Sequence, residues 1–320
     1  MSKRNIIIIV AAVVVIAVVL VLVLRTPVPT IKVGSKGFTE QLVIGEMMAQ
    51  LLEDRLEGVR VDLVDGLSTS ALRDGIEAGD LDVIAEYTGT AWMVHFGQEY
   101  EPGVDNNELY QLVRERDEAN NITWLDPIWN NNTYAFASWS EFVAANNLST
   151  LSDLAALYSD MEGKIHTSIT DEWDLRPDGR PAFEQHYGFT YDPEYLLVVE
   201  AGLTLEALKE EQVDVGMVFA TDAWMAELGW HVYQDDLSFF PPYDMTPSVR
   251  AEVSDEYPEI VSILNELVAT FPGGGELATP ETVGECQAVW QELNHKVDFE
   301  DMWPDEVARE YLLDHGLIQG

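Results

Sequence analysis

Residues Leu81–Gly97 read LDVIAEYTGTAWMVHFG, and further along the chain Val213–Gly229 read VDVGMVFATDAWMAELG. The two align without a gap: Asp82 with Asp214, Val83 with Val215, Ala91-Trp92-Met93 with Ala223-Trp224-Met225, and Gly97 with Gly229. Each begins as a short apolar strand, ends it on an aromatic residue (Tyr87 or Phe219), and passes through a polar turn into an amphipathic helix start. Strand-to-helix turns put side chains at the carboxyl edge of a sheet, where open α/β folds bind ligands. Two such edges, too far apart for a local repeat array, predict two similar α/β lobes with a cleft between them and one aromatic from each. Two ordinary βα units with core aromatics would give the same echo, so the rest of the chain decides.

The 320 residues are enough for two domains, and 47% hydrophobic with 23% charged residues is a globular composition. One segment differs. Ile6–Leu24 is an unbroken apolar run, preceded by Lys3 and Arg4, of the length that spans a bilayer as a helix. Basic residues before such a run keep its start inside the cell. The run exceeds a signal-peptide core and no small-x-small cleavage site follows, nor does a cysteine stand there to carry a lipid. The expectation is therefore a single-pass signal anchor over residues 1–25, a stiff extended spacer over 26–30, and a binding domain on the extracytoplasmic side of the cell membrane.

Formal charge is −40, and Lys3, Arg4 and Arg25 all sit at the membrane end. Such a charge repels itself in dilute buffer, and about 1 M salt removes the cost by shortening the screening length to roughly 3 Å. A high-salt environment is the natural inference, with an ordinary acidic extracellular protein as the alternative. Nucleic acid is not a fitting partner. The single Cys286 cannot close an internal disulfide, so stability rests on the core.

Along the chain, Ile31–Val33 reads as a strand, and Leu42, Ile44, Met47, Met48, Leu51, Leu52 and Leu56 give the next helix an apolar stripe. Ser35 or Thr39 is available as its cap. Strands at 61–64, 81–85 and 122–125 alternate with helices at 68–78 and 108–119, which predicts parallel βαβ organisation. A fresh series follows: strand 133–138, helix 148–158, strand 164–167, loop 171–181, helix 203–211 and the echo. Phe239-Phe240-Pro241-Pro242-Tyr243 is too proline-rich for a helix or central strand, and three helices fill the tail, near 256–270, 281–293 and 305–314. This order fits a second lobe, residues 133–240, inserted into a first made of 31–132 plus 241–320.

Catalytic signatures are missing. The six histidines are scattered without metal-site spacing, no Gly-x-Ser-x-Gly elbow occurs, and Gly34-Ser35-Lys36-Gly37 lacks the P-loop pattern. Carboxylates are too abundant for any pair to stand out. The expectation is a protein without catalysis, metal or cofactor. Asn121, Asn131 and Asn147 begin Asn-x-Ser/Thr glycosylation matches.

Five blocks carry a resemblance: VGSKGFTEQLVIGEMMAQLLE at 33–53, EYTGTAW at 86–92, NNTYAFA at 131–137, the arginine of DEWDLRPDG at 171–179, and FFPPYDMTPSVR at 239–250. Together they resemble the substrate-binding proteins of ABC importers for glycine betaine, choline and related quaternary amines, from about Ile31 to the chain end. The resemblance implies a two-lobed, type II periplasmic-binding-protein α/β fold, here preceded by the N-terminal transmembrane helix. It also implies an aromatic box of Tyr87, Tyr134, Phe219 and Tyr243, with Phe219 where the family commonly has tyrosine, and a carboxylate clamp of Arg176, Lys36 and Thr90. Asn132 would be a hinge or supporting residue.

Physical chemistry points the same way: a quaternary ammonium offers no strong hydrogen bond and suits ring faces, while a carboxylate suits a bidentate, permanently charged guanidinium. The expected role is a membrane-anchored, monomeric binding protein that delivers glycine betaine to ABC permease subunits. Choline, carnitine or proline betaine in the same role remain open, as does a ligand sensor on the same fold without transport. Because the outer chain is so acidic, its thermal midpoint should rise by many degrees between dilute buffer and molar NaCl or KCl. Scanning calorimetry reads this directly, and a midpoint flat in salt would remove the high-salt inference.

Overall fold

The computed structural model describes residues 28–223 and 229–319. Its strands are β1 (Thr30–Lys36), β2 (Arg60–Leu67), β3 (Val83–Tyr87), β4 (Ile122–Trp124), β5 (Tyr134–Trp139), β6 (Thr167–Thr170), β7 (Leu196–Val199), β8 (Val215–Phe219), β9 (Trp230–Val232) and β10 (Met245–Arg250). They build two five-stranded sheets with the orders β2-β1-β3-β10-β4 and β7-β6-β8-β5-β9. The echoed strands β3 and β8 hold the same central place, each between a parallel neighbour and an antiparallel one. The expected parallel pairing holds for β1, β2 and β3 and for β6, β7 and β8. Strands β5 and β10 run antiparallel to their neighbours because the chain enters each directly from the other sheet, with no crossover helix to return it to the starting edge.

The helices used below are α1 (Thr39–Arg55), α2 (Thr69–Ala78), α3 (Asn106–Asp117), α4 (Leu151–Asp160), α5 (Asp171–Leu175), α6 (Arg180–Tyr187), α7 (Leu203–Lys209), α8 (Glu259–Val268), α9 (Pro280–Asp298) and α10 (Pro304–Asp314). Of the expected apolar stripe, Ile44, Met47, Met48, Leu51, Leu52 and Leu56 are buried, packed among β1, α8, α9 and α10, whereas Leu42 is only half-buried and Val43, outside that stripe, is buried in its place. The tail thus packs against the first sheet through α1. It also reaches the second: Gln291 and Asn294 on α9 donate to the carbonyls of Ala220 and Thr221, each at 2.9 Å.

Several expectations change. The cap of α1 is Phe38, with no side-chain hydrogen bond; Ser35 Oγ donates to the Gln41 carbonyl at 2.6 Å and Thr39 Oγ1 to Asp298 at 2.7 Å. The strand expected at 164–167 lies at β6, because left-handed Glu162 and Gly163 prolong the turn after α4. The expected loop 171–181 contains α5 and the start of α6, with Thr170 Oγ1 capping α5 by accepting from Trp173 N. Thr30 belongs to β1 rather than to a spacer. Asn121, Asn131 and Asn147 all adopt left-handed backbone conformations, with φ of 58°, 33° and 54°, a backbone reason for asparagine at each. The anchor expected over 1–25, and the helix start of the second echo at Trp224 and Met225, lie outside the described residues. Among the described residues no helix is long and apolar enough to cross a membrane.

One buried ion pair fixes the lobe that carries β3. Arg73 on α2 makes a bidentate contact with Asp117 at the end of α3, at 2.8 and 2.6 Å, and Trp124 Nε1 donates to the same carboxylate at 2.7 Å. Removing Asp117 leaves the buried Arg73 guanidinium with only the half-exposed Glu77, and losing one partner of a buried pair costs about 3–5 kcal/mol. Asp117→Ala should therefore lower unfolding free energy by about that amount in high-salt denaturant titration, and a loss under 1 kcal/mol would show the pair to be dispensable.

Candidate functional site

The sheet edges meet. Lys36 ends β1, Tyr87 ends β3, Phe219 ends β8, Tyr134 opens β5, Tyr243 precedes β10 and Arg176 follows α5. A cavity of about 460 Å³ lies between these termini, and Lys36, Tyr87, Thr90, Tyr134, Arg176, Phe219 and Tyr243 all line it, with Asn132. Every candidate site residue picked from the sequence is therefore brought to one place. The reading missed Phe38, which sits between the lobes with ring centroids 6.3 Å from Tyr87 and 6.0 Å from Phe219, nearly parallel to the latter. An aromatic residue at the β1-to-α1 turn was visible in the sequence, and the rule that singled out Tyr87 and Phe219 applies to it.

The rings continue around the wall. Tyr134 lies 5.0 Å from Phe219 and 5.4 Å edge-on from Tyr243. Gly89 permits the last contact, because a Cβ there would fall 2.8 Å from both the Tyr243 ring and the Pro242 carbonyl. Burial, opposed by nearby Arg176, pushes the Tyr134 phenol up to about 12; burial reinforced by Glu40 raises Tyr87 well above its ordinary value. Both rings stay neutral at any physiological pH.

Both basic groups have carboxylate partners, which the sequence did not indicate. Lys36 Nζ sits 2.7 Å from Glu86 Oε1 and 5.1 Å from the centre of the Tyr87 ring. His95 Nε2 meets Glu86 Oε2 at 3.0 Å. Burial works to raise the Glu86 carboxyl, but Lys36 and His95 outweigh it and hold it at about 2. Arg176 donates from Nε and Nη2 to Asp178 at 3.0 and 2.5 Å and from Nη1 to the Tyr134 hydroxyl at 3.1 Å. Thr90, in the turn after β3, is buried at the cavity wall.

Beneath the rings, Glu40 Oε1 accepts from the Tyr87 hydroxyl at 2.7 Å, Asn130 Nδ2 at 3.0 Å and Asn132 Nδ2 at 2.9 Å. Burial pushes Glu40 up to about 6, against polar contacts with Thr221, Tyr87, Asn132 and Asn130 that lower it. Among the described residues no three His, Cys, Asp or Glu side chains converge as metal ligands.

Residues 29–314 match the family model described as the substrate binding domain of an ABC-type glycine betaine transport system. The chain belongs to this family. It is 32% identical over 294 residues to a glycine-betaine-binding protein of Pseudomonas aeruginosa, covering 90% of this chain and 89% of that one. It is 28% identical over 296 residues to the carnitine transport binding protein OpuCC of Listeria monocytogenes, covering 91% and 88%. A crystal structure of a glycine betaine/carnitine/choline ABC transporter superposes with a TM-score of 0.67 at 24% identity, over 90% of this chain and 100% of the other, a likeness of fold. This family member is thus an importer's substrate-binding protein with a two-sheet periplasmic-binding-protein fold, and not an enzyme.

Next to Tyr243 in the chain lies a buried titratable group, Asp244, that should be visible in stability. Asp244 accepts from Asn131 N at 3.1 Å and from Asn106 Nδ2 at 2.7 Å, and its backbone is paired with Thr88. Burial, opposed by those hydrogen bonds, pushes its carboxyl up to about 7. The unfolded carboxyl loses its proton near pH 4, so in this window the folded state holds more protons and stability falls as pH rises from about 4 to 7. Glu40 acts in the same direction up to its own value of about 6. Asp244→Asn should flatten the slope by roughly one proton near pH 5.5, read from denaturation midpoints across pH in high salt. An unaltered slope would exclude Asp244 as its source.

Proposed function

We propose that this family member binds glycine betaine in the cavity between its sheets and presents it to ABC permease subunits. The observation that carries the reading is the convergence of Phe38, Tyr87, Tyr134, Phe219 and Tyr243 on one cavity that also holds Arg176. Neutral ring faces attract a trimethylammonium head that cannot form a strong hydrogen bond. Arg176 keeps donor capacity beyond its bonds to Asp178 and Tyr134, since a guanidinium has five N–H groups. Lys36 and Thr90 complete the polar side of the clamp. We assign 31–132 plus 241–320 to one lobe and 133–240 to the other, with a membrane anchor at 1–25, a spacer that ends at Pro29 ahead of β1, a monomeric state and a high-salt habitat.

A second reading has its own support. Both basic residues are paired with carboxylates, and Asp171, Glu172 and Glu200 add further acids to the wall. That balance favours a ligand with a net positive charge, such as choline. The two ligands share the head and differ at the other end, so one pair of variants separates them. Tyr243→Ala or Tyr134→Ala should weaken glycine betaine and choline alike, by about 1–2 kcal/mol for a desolvated ring-cation contact. Arg176→Ala should cost glycine betaine about 2 kcal/mol through loss of a charge-assisted bond while sparing choline. Calorimetric titration of both ligands in high salt gives the ratio, and equal losses on Arg176→Ala would leave the carboxylate clamp without support.

A further inference from the structure

Next to the ring-lined cavity lies a second one, of about 170 Å³, which shares Phe38, Asn132, Ala201 and Phe219 with it. Its polar wall has a different character. Glu40, Asn132, Thr221, Asp222, Asn294 and Asp298 bring oxygen to it, and no lysine, arginine or histidine is among its lining residues within the described part of the chain.

Three buried side-chain oxygens on this wall accept no hydrogen bond: Glu40 Oε2, Asn132 Oδ1 and Asn294 Oδ1. Their residues are 2%, 5% and 3% exposed. The amides are not free to turn over, because Asn132 Nδ2 donates to Glu40 Oε1 and Asn294 Nδ2 to the Thr221 carbonyl, each at 2.9 Å. All three oxygens belong to residues that line this cavity. Buried acceptors without a donor are costly, and three on one small cavity call for a common partner. Asp222 adds a carboxylate, its Oδ2 accepting from Phe219 N at 2.6 Å. Burial, with Asp298 and Glu40 adding to it, pushes the Asp222 carboxyl up to about 8. A positive charge is what this group lacks.

The donor set defines the class of that charge. Hard amide, hydroxyl and carboxylate oxygens exclude a soft metal, and the absence of a convergent triad of acidic or histidine ligands among the described residues does not suit a tightly held divalent ion. We infer that this cavity binds one monovalent alkali cation, Na⁺ or K⁺, between the two lobes. Glu40 and Asn132 would reach it from the first lobe, Thr221 and Asp222 from the second, and Asn294 from α9. An ion held by both lobes stabilises their facing arrangement by mass action. Since Phe38 and Phe219 wall both cavities, ion and organic ligand are coupled reciprocally.

The test is calorimetric titration of the full chain with NaCl or KCl at constant ionic strength, N-methyl-D-glucamine chloride making up the balance. A saturable uptake of one cation is expected, and the tighter arm identifies the ion. Asp222→Asn keeps an oxygen for Phe219 N but removes the charge, and should weaken the uptake at least about tenfold, as expected for the loss of a charged partner. Asn294→Leu removes one of the unpartnered oxygens and should weaken it as well, with the thermal midpoint in glucamine salt checking that each variant folds. Heats that never saturate, that are the same for Na⁺, K⁺ and glucamine, or that survive both substitutions would overturn the inference. A parallel series without glucamine, at varying ionic strength, shows whether that methylated ammonium enters the ring-lined cavity. Since Na⁺ or K⁺ is the titrant here and glycine betaine or choline there, failure of one reading leaves the other standing.

Discussion

One buried carboxylate holds the binding region together. Glu40, in the first turn of α1, takes hydrogen bonds on a single oxygen from Tyr87 at the end of β3 and from Asn130 and Asn132, where the chain leaves the first sheet for the second. The helix N-terminus is a favourable place for a negative charge, which offsets part of the cost of burying it. The consequence is geometric. The Tyr87 ring is pinned by its hydroxyl, and the segment that crosses between lobes is tied to the same atom, so ring position and lobe connection cannot vary independently.

Around that anchor the charges are organised in pairs. Glu86 neutralises Lys36 and contacts His95, and Asp178 neutralises Arg176. A buried charge is tolerated only with a partner, so the cavity can place cationic groups beside aromatic faces without an unpaired ion in the core. These pairs also fix the side chains, Arg176 being held by both Asp178 and the Tyr134 hydroxyl. In a chain with 57 acidic and 17 basic residues, the few cations that reach the cavity are therefore placed by specific carboxylates rather than by the overall field.

Much of this was legible in the primary structure because it rests on local rules. The echo of β3 in β8 follows from repeated strand-turn patterns, and both copies occupy the same central position in their sheets. The apolar stripe of α1 follows from the helical period. The errors are local too: the strand expected at 164–167 lies later, at β6, because two left-handed residues prolong the preceding turn, and β10, which contains Pro247, is not among the expected strands. That proline is accommodated next to β3 even though it has no N–H to donate to the ladder.

By itself the sequence determined the alternation of strands and helices, the aromatic residues at strand ends, and the absence of a catalytic constellation, because each depends on residue type and short-range spacing. It also determined the family, through motif blocks spread along the chain. Tertiary structure alone decided that Phe38 stacks between the lobes, that Glu86 and Asp178 engage Lys36 and Arg176, and that Glu40, Asn132, Asp222 and Asn294 line a second, oxygen-rich cavity. Most of these contacts join residues far apart along the chain, and in a sequence this rich in carboxylates no local pattern distinguishes the acid that meets a given lysine from its many neighbours. Only the folded geometry selects it.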